Sequence, residues 1–150
     1  MKIPYEALQR IIELHAKFLA DEDGGQRAAL ECVDLYGVNL ANANLKGANL
    51  EGASLRRAVL WETNLEGANL NGVNFKHAVL EGANLNGASL IGAVLKGVNM
   101  ECCDLRGANL ANANLEDSSL KGAKYNQATI WPDNYEPTAL GAFYDDEISS

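Results

Sequence analysis

The residue types that carry out chemistry are sparse in this 150-residue chain, and their spacing keeps them apart. Histidine occurs only at His15 and His77. No Ser-His-Asp set, metal-ligand cluster or phosphate loop is visible; the frequent Gly-x-x-x-x-Gly spacings are products of a repeat. Cys32, Cys102 and Cys103 form neither a disulfide framework nor a zinc site, and they fit a reducing compartment. The repeat register turns Cys103 inward as a small core residue and Cys102 outward, which leaves little for a redox pair. No catalytic, cofactor-binding or metal-binding residue is assigned, no cofactor is expected, and an enzyme is the weakest reading.

The element that must position any functional side chain is a five-residue repeat. From Leu30 to Ile130 every fifth residue is large and apolar, with Phe75, Met100, Tyr125 and Ile130 holding the phase of the leucines. Two residues before each sits a small side chain, mostly Ala, with Val33, Val38, Val73, Val98, Thr63, Cys103 and Ser118 as variants. Gly often follows two residues after, and Asn commonly precedes. On a helix, at about 100° per residue, such leucines would step by roughly 140° and spiral around the surface. On a strand, an odd period would send successive leucines to opposite faces. One shared core requires the chain to turn once per pentad, and Gly and Asn are residues that turns favour. Such a chain winds into coils that stack as parallel strands about 4.7–4.9 Å apart. The inward Thr63 and Ser118 are expected to bond neighbouring backbone through their hydroxyls.

Blocks such as Ala48-Asn49-Leu50-Glu51-Gly52 and Ala68-Asn69-Leu70-Asn71-Gly72 carry a resemblance. Over about residues 28–132 the chain resembles the pentapeptide-repeat family, and short cyanobacterial members in particular. The resemblance implies an all-β fold: a right-handed quadrilateral parallel β-helix, or solenoid, of about five coils, with an N-terminal α-helical cap. Four pentads then make each coil. The expected organisation is 1–27 as the helical cap, 28–132 as the solenoid, and 133–150 as a C-terminal cap and acidic tail.

An open solenoid needs covered ends. Pro4 to Leu19 reads as an amphipathic helix with Leu8, Ile11, Ile12, His15, Phe18 and Leu19 on one side. Glu6 with Arg10, and Glu13 with Lys17, are expected as i,i+4 pairs, and Gly24-Gly25 as the stop. His15 is read as a satisfied residue of this helix. Beyond Ile130, the aromatics Trp131, Tyr135 and Phe143 are expected to fold over the last coil or to form a dimer contact, and 145–150 to be a solvated tail.

With four pentads per coil, outward residues twenty apart stack in columns. One column runs Tyr36, Arg56, Lys76, Lys96 and Glu116, with Arg57 and His77 beside it; the next runs Trp61, Glu81 and Glu101, with Glu62 alongside. A third holds Lys46, Glu66, Asn86 and Arg106, and the last Glu31, Glu51, Asn71 and Ile91. Like charges one strand apart repel unless screened or partnered. The candidate interaction face is therefore Tyr36, Arg56, Arg57, Lys76, His77 and Lys96, docking an anionic or acidic protein. Trp61, Glu62, Glu81 and Glu101 form a second candidate patch, with Trp61 and Ile91 as exposed apolar positions.

No apolar run reaches the roughly 18 residues of a membrane span, and Met1 to Leu19 lacks a secretory core, so a cytoplasmic protein without a membrane partner is expected. Acidic overall, with no interleaving of aromatic and basic residues, it is not expected to bind nucleic acid directly. The reading is a non-enzymatic interaction or structural scaffold with an unidentified protein partner, monomeric or weakly dimeric through the C-terminal aromatic segment. Two alternatives come with the resemblance: a DNA mimic that binds DNA gyrase, as in the quinolone-resistance branch, and an adaptor or regulator in a cyanobacterial signalling pathway. Net charge −8 superficially favours mimicry, but five of the acids lie in 131–150, which has no base, whereas 28–130 carries ten acids and eight bases. A duplex mimic should array negative charge along its shaft.

Overall fold

The computed structural model describes residues 1–146; residues 147–150, the end of the expected tail, lie outside the described residues. Each pentad makes one corner and half of each adjoining side. At Leu50 the carbonyl accepts from Ala53 N–H at 2.9 Å, closing a turn whose third residue, Gly52, has φ +69°. Asn49 supports the same corner by accepting Glu51 N–H on its Oδ1 at 3.2 Å. The small apolar residue and the leucine then point inward, so Ala48 and Leu50 are both fully buried.

Coils register at twenty residues. Parallel bridges join Ala29 to Asn49, Asn49 to Asn69, Asn69 to Ser89 and Ser89 to Asn109, and the three other sides repeat the pattern. Leu50 N–H donates to Asn69 O at 2.9 Å, Gly52 N–H to Asn71 O at 2.9 Å, and Asn69 N–H back to Ala48 O at 2.9 Å. Each side is too short to continue as an extended strand, so single-residue bridges replace long ladders over most of the shaft. The core is one stack of leucines flanked by alanines, from Leu30 to Leu120. Thr63 Oγ1 donates to Leu40 O at 2.8 Å and Ser118 Oγ to Leu115 O at 2.7 Å, as expected for inward hydroxyls.

The phase breaks once, contrary to the unbroken series read from the sequence. Asn109 pairs with Ile130, one residue beyond the twenty-residue register. Thr129 takes the inward place instead, its Oγ1 bonding Leu105 O at 2.8 Å, and Ile130 is 50% exposed. The extra residue falls after strand β1 (Lys124–Tyr125), where Asn126 Oδ1, rather than a backbone carbonyl, accepts Gly107 N–H at 3.0 Å.

Helix α1 (Tyr5–Leu19) lies against the first coil. Leu8 joins the core cluster, with Ile11 and Ile12 packed on it, while Phe18 is largely exposed and stacks on His15 instead. The ion pair formed is Arg10–Glu13 at 3.5 Å rather than either expected i,i+4 pair. The helix also stops before Gly24: Asp21 turns left-handed at φ 56°, and Gly25 packs so closely on the Lys17–Phe18 backbone that a Cβ would collide with it. At the other end, a 3-10 turn (Pro137–Leu140) leads to β2 (Phe143–Tyr144), parallel to β1. Trp131 and Tyr135 pack on the core and stack on each other at 5.3 Å. Phe143, expected to join them, is exposed. Asp145 is no part of a free tail: its N–H donates to Tyr125 O at 2.8 Å and its carboxylate faces Arg106 at 3.9 Å.

Candidate interaction face

The register brings the two candidate patches together as the two edges of one side of the solenoid. Arg57 N–H donates to Lys76 O and His77 N–H to Lys96 O, which stacks the Arg56 corner. Asn42 N–H donates to Trp61 O and Glu62 N–H to Glu81 O, which stacks the Trp61 corner. Between the corners, the outward residues of the side pair as Asn39, Val59, Val79 and Asn99. Val59 and Val79 were not singled out from the sequence; their only signal is that they replace Asn on two successive coils.

That replacement has a local consequence. Asn39 and Asn99 accept the N–H two residues on, at 3.0 Å to Ala41 and 2.9 Å to Glu101. Valine cannot, and among the described residues the N–H groups of Trp61 and Glu81 have no acceptor. The side thus presents two half-buried valines and a Trp61 that is 53% exposed, with the open N–H groups of Trp61 and Glu81 beside them.

Along the Arg56 corner, the repulsion expected between like charges is partly relieved within the column. The Arg56 guanidinium sits 5.8 Å from the centre of the Tyr36 ring, and Lys96 pairs with Glu116 at 3.6 Å. Lys76, between them, forms no ion pair among the described residues. The His77 ring lies along the column over Gly97, whose missing Cβ would fall 2.6 Å from Nδ1.

Every corner from Cys32 to Gly122 has a residue with positive φ, and most use Gly. Six of the corner positions without Gly border this one side: Asn42, Arg57, Glu62, His77, Cys102 and Asp117, all with φ between 55° and 62°. The Lys46 corner uses Gly47, Gly67, Gly87 and Gly107 on its first four coils. Side chains tolerated in the left-handed region, against a cost of about 1–2 kcal/mol each, are concentrated where they can line this side.

Elsewhere the placements are structural. Arg106, read as an outward residue, is only 7% exposed: it clasps Asp104 in two bonds, at 2.9 and 2.7 Å, and reaches the Asp145 carboxylate. Burial opposes ionisation of Asp104, but the Arg106 hydrogen bonds and charge outweigh it and hold the carboxyl below its usual range. Cys103 is buried, with its thiol pushed strongly upward by desolvation, and donates to Leu80 O; Cys102 is exposed on the surface. Among the described residues, no group of three or more His, Cys, Asp or Glu is placed to hold a metal, and no helix is long and apolar enough to cross a membrane.

A solenoid of pentads with a twenty-residue register defines the class, and comparison with known proteins agrees. The pentapeptide-repeat profile matches eight copies, over residues 34–72, 68–101 and 99–128, and the chain belongs to this family. Its members form right-handed quadrilateral β-helices and are generally non-enzymatic scaffolds. Among solved structures, the chain is similar to Rfr23, a pentapeptide-repeat protein of the cyanobacterium Cyanothece 51142. Identity is 34%, over 73% of this chain and 67% of that one, with a TM-score of 0.56. It is also similar to HetL of Nostoc sp. strain PCC 7120, which is involved in heterocyst differentiation regulation. There identity is 32%, over 73% of this chain and 60% of that one, with a TM-score of 0.62. A comparison with curated proteins gives no match.

Proposed function

We propose that this protein is a non-enzymatic interaction scaffold working through the side bounded by the Arg56 and Trp61 corners. The shaft is read as about five coils over 28–132. Helix α1 covers its first coil, and the segment after 132 covers its last. The observation that carries the reading is the concentration of left-handed, side-chain-bearing corners along the two edges of this side. A corner serving stability alone is better made with Gly. Arg57, Glu62 and His77 give up that advantage, and each adds a charged or titratable group to the edges of an apolar strip.

An adaptor in a regulatory pathway is the narrower form of this reading, supported by the likeness to HetL, a protein involved in heterocyst differentiation regulation. Gyrase binding by DNA mimicry fits less well, because the shaft mixes ten acids with eight bases and one of its corners is basic. Affinity capture from cell extract, with wild type beside the Arg56→Glu/Lys76→Glu double variant, tests the proposal. Wild type should retain a protein that the variant loses by at least about tenfold, since reversed edge charges oppose docking. Equal retention by both would overturn the assignment to this side.

A further inference from the structure

The two edges are complementary to each other, coil by coil. On the coil of Val59, Arg56 and Arg57 stand across the side from Trp61 and Glu62; on the next, Lys76 and His77 stand across from Glu81. Lys96 then stands across from Glu101. On the coil after that, both signs invert together: Glu116 and Asp117 stand across from Lys121. Four successive coils therefore carry opposite charge on the two edges. The adjoining side beyond the Trp61 corner does not share this, because it sets Glu62 against Glu66.

We propose that this side pairs with the same side of a second copy of the chain, about a two-fold axis parallel to the solenoid axis. This rests on reading the side as a protein contact surface and names its occupant. Such an axis exchanges the two edges and keeps each coil at its own level. Arg56 and Arg57 of one copy then meet Trp61 and Glu62 of the other, Lys76 meets Glu81, Lys96 meets Glu101, and Glu116 with Asp117 meets Lys121. The valines close on themselves along the axis, Val59 on Val59 and Val79 on Val79. Trp61, exposed in the isolated chain, comes over an arginine, an arrangement favoured by cation–π attraction. The inverted signs on the last coil are the strongest part of the case. A partner with one acidic and one basic edge running its full length would be repelled there, whereas a second copy inverts in step. A two-fold axis across the solenoid fails the same comparison, since it sets Lys76 against Lys96 and Glu81 against Glu101.

The contact is small. Four coils at about 4.8 Å each, across a side on the order of 10 Å wide, contribute a few hundred Å² per copy even with the corner side chains included. Stable complexes bury about 800 Å² per partner. The pairing is therefore a weak, salt-sensitive equilibrium.

Sedimentation equilibrium from micromolar to millimolar concentration tests it, with two variants that keep the core untouched. Arg56→Glu/Lys76→Glu cancels the positive charge beside Arg57 on the first of those coils and makes the edge acidic on the second, and Glu62→Lys/Glu81→Lys makes both edges basic. Wild type should self-associate, and less so in about 0.5 M salt. Each variant alone should dissociate at least about tenfold more readily. An equimolar mixture of the two should recover a mixed dimer, which also shows that both variants are folded. Wild type monomeric throughout, or both variants dimerising as wild type does, would overturn the proposal; the second outcome would move the contact elsewhere, such as to the exposed Phe143 end. Monomeric wild type whose acidic-edged variant still loses a captured protein would overturn self-pairing while leaving the docking side in place.

Discussion

At single positions, the corners show how far this fold lets a surface vary. A pentad corner demands a left-handed residue, and Gly meets that demand without a Cβ penalty. Arg57 and His77 meet it at φ 57° and 61° with full side chains. Arg57→Gly and His77→Gly should each raise unfolding stability by about 1 kcal/mol, read from urea midpoints, while weakening self-association. A fall in stability on either replacement would mean that the side chain contributes more to the shaft than its backbone costs. The Asn that precedes many of the leucines is the other local device, accepting an N–H that would otherwise stay open. Val59 and Val79 forgo it on two adjacent coils, leaving an apolar strip beside the open N–H groups of Trp61 and Glu81.

Among the elements, the attachment of α1 turns on one imidazole. His15 is fully buried; its Nδ1 accepts Ala28 N–H at 3.0 Å, so Nε2 carries the proton and donates to Lys46 O at 2.9 Å. Protonation would turn Nδ1 into a donor facing a donor. Burial lowers the His15 pKa from its ordinary 6.5, opposed by the bond to Lys46 and assisted by the charge of Arg27. Below pH 6.5 the unfolded chain therefore binds a proton that the folded chain refuses. Stability is highest above that pH and falls as pH drops toward the lowered folded value, then levels off. His15→Ala should remove this slope and cost about 1–3 kcal/mol at neutral pH, by stranding the Ala28 N–H and the Lys46 carbonyl. An unchanged slope between about pH 7.5 and 5 in the variant would assign it to other groups. The C-terminal segment is held differently, through Arg106 clasped between Asp104 and Asp145 and through the Trp131–Tyr135 stack.

For the whole molecule, the coil sides are interchangeable inside and distinct outside. Every side presents the same leucine and small residue to the core, whereas each corner carries its own column. Deleting one pentad, residues 71–75, keeps every later leucine inward but rotates all later corners by one place, so Lys76 falls beneath Glu51. The variant should fold, with circular dichroism close to wild type, and should lose self-association. Deleting twenty residues, 68–87, keeps the columns and should keep a shortened face. Because repeats contact only their neighbours, both deletions should leave the two ends folded. Collapse of the single-pentad variant would show that the corners stabilise the shaft more than the core does.

How much of this the sequence alone determined follows from which interactions are local. The inward residues from Leu30 to Leu120 were legible because a five-residue period admits one way of placing them all in a single core. Thr63, Ser118 and Cys103 followed from the same phase. The break after Tyr125 was hidden because Tyr125 and Ile130 preserve an apolar pattern that the backbone does not follow; Thr129, hydroxyl-bearing and small, fits the core better than the pattern shows. Arg106 looked like a surface residue because the carboxylate that covers it, Asp145, is far away in sequence. The period itself says nothing of how many pentads close a turn, and that number decides which residues stack. Val59 lies between Arg56 and Trp61 along the chain, but only the stacked coils pair it with Val79 and join the two corners into one side, because vertical neighbours are brought together by hydrogen bonds between coils and not by the chain that joins them.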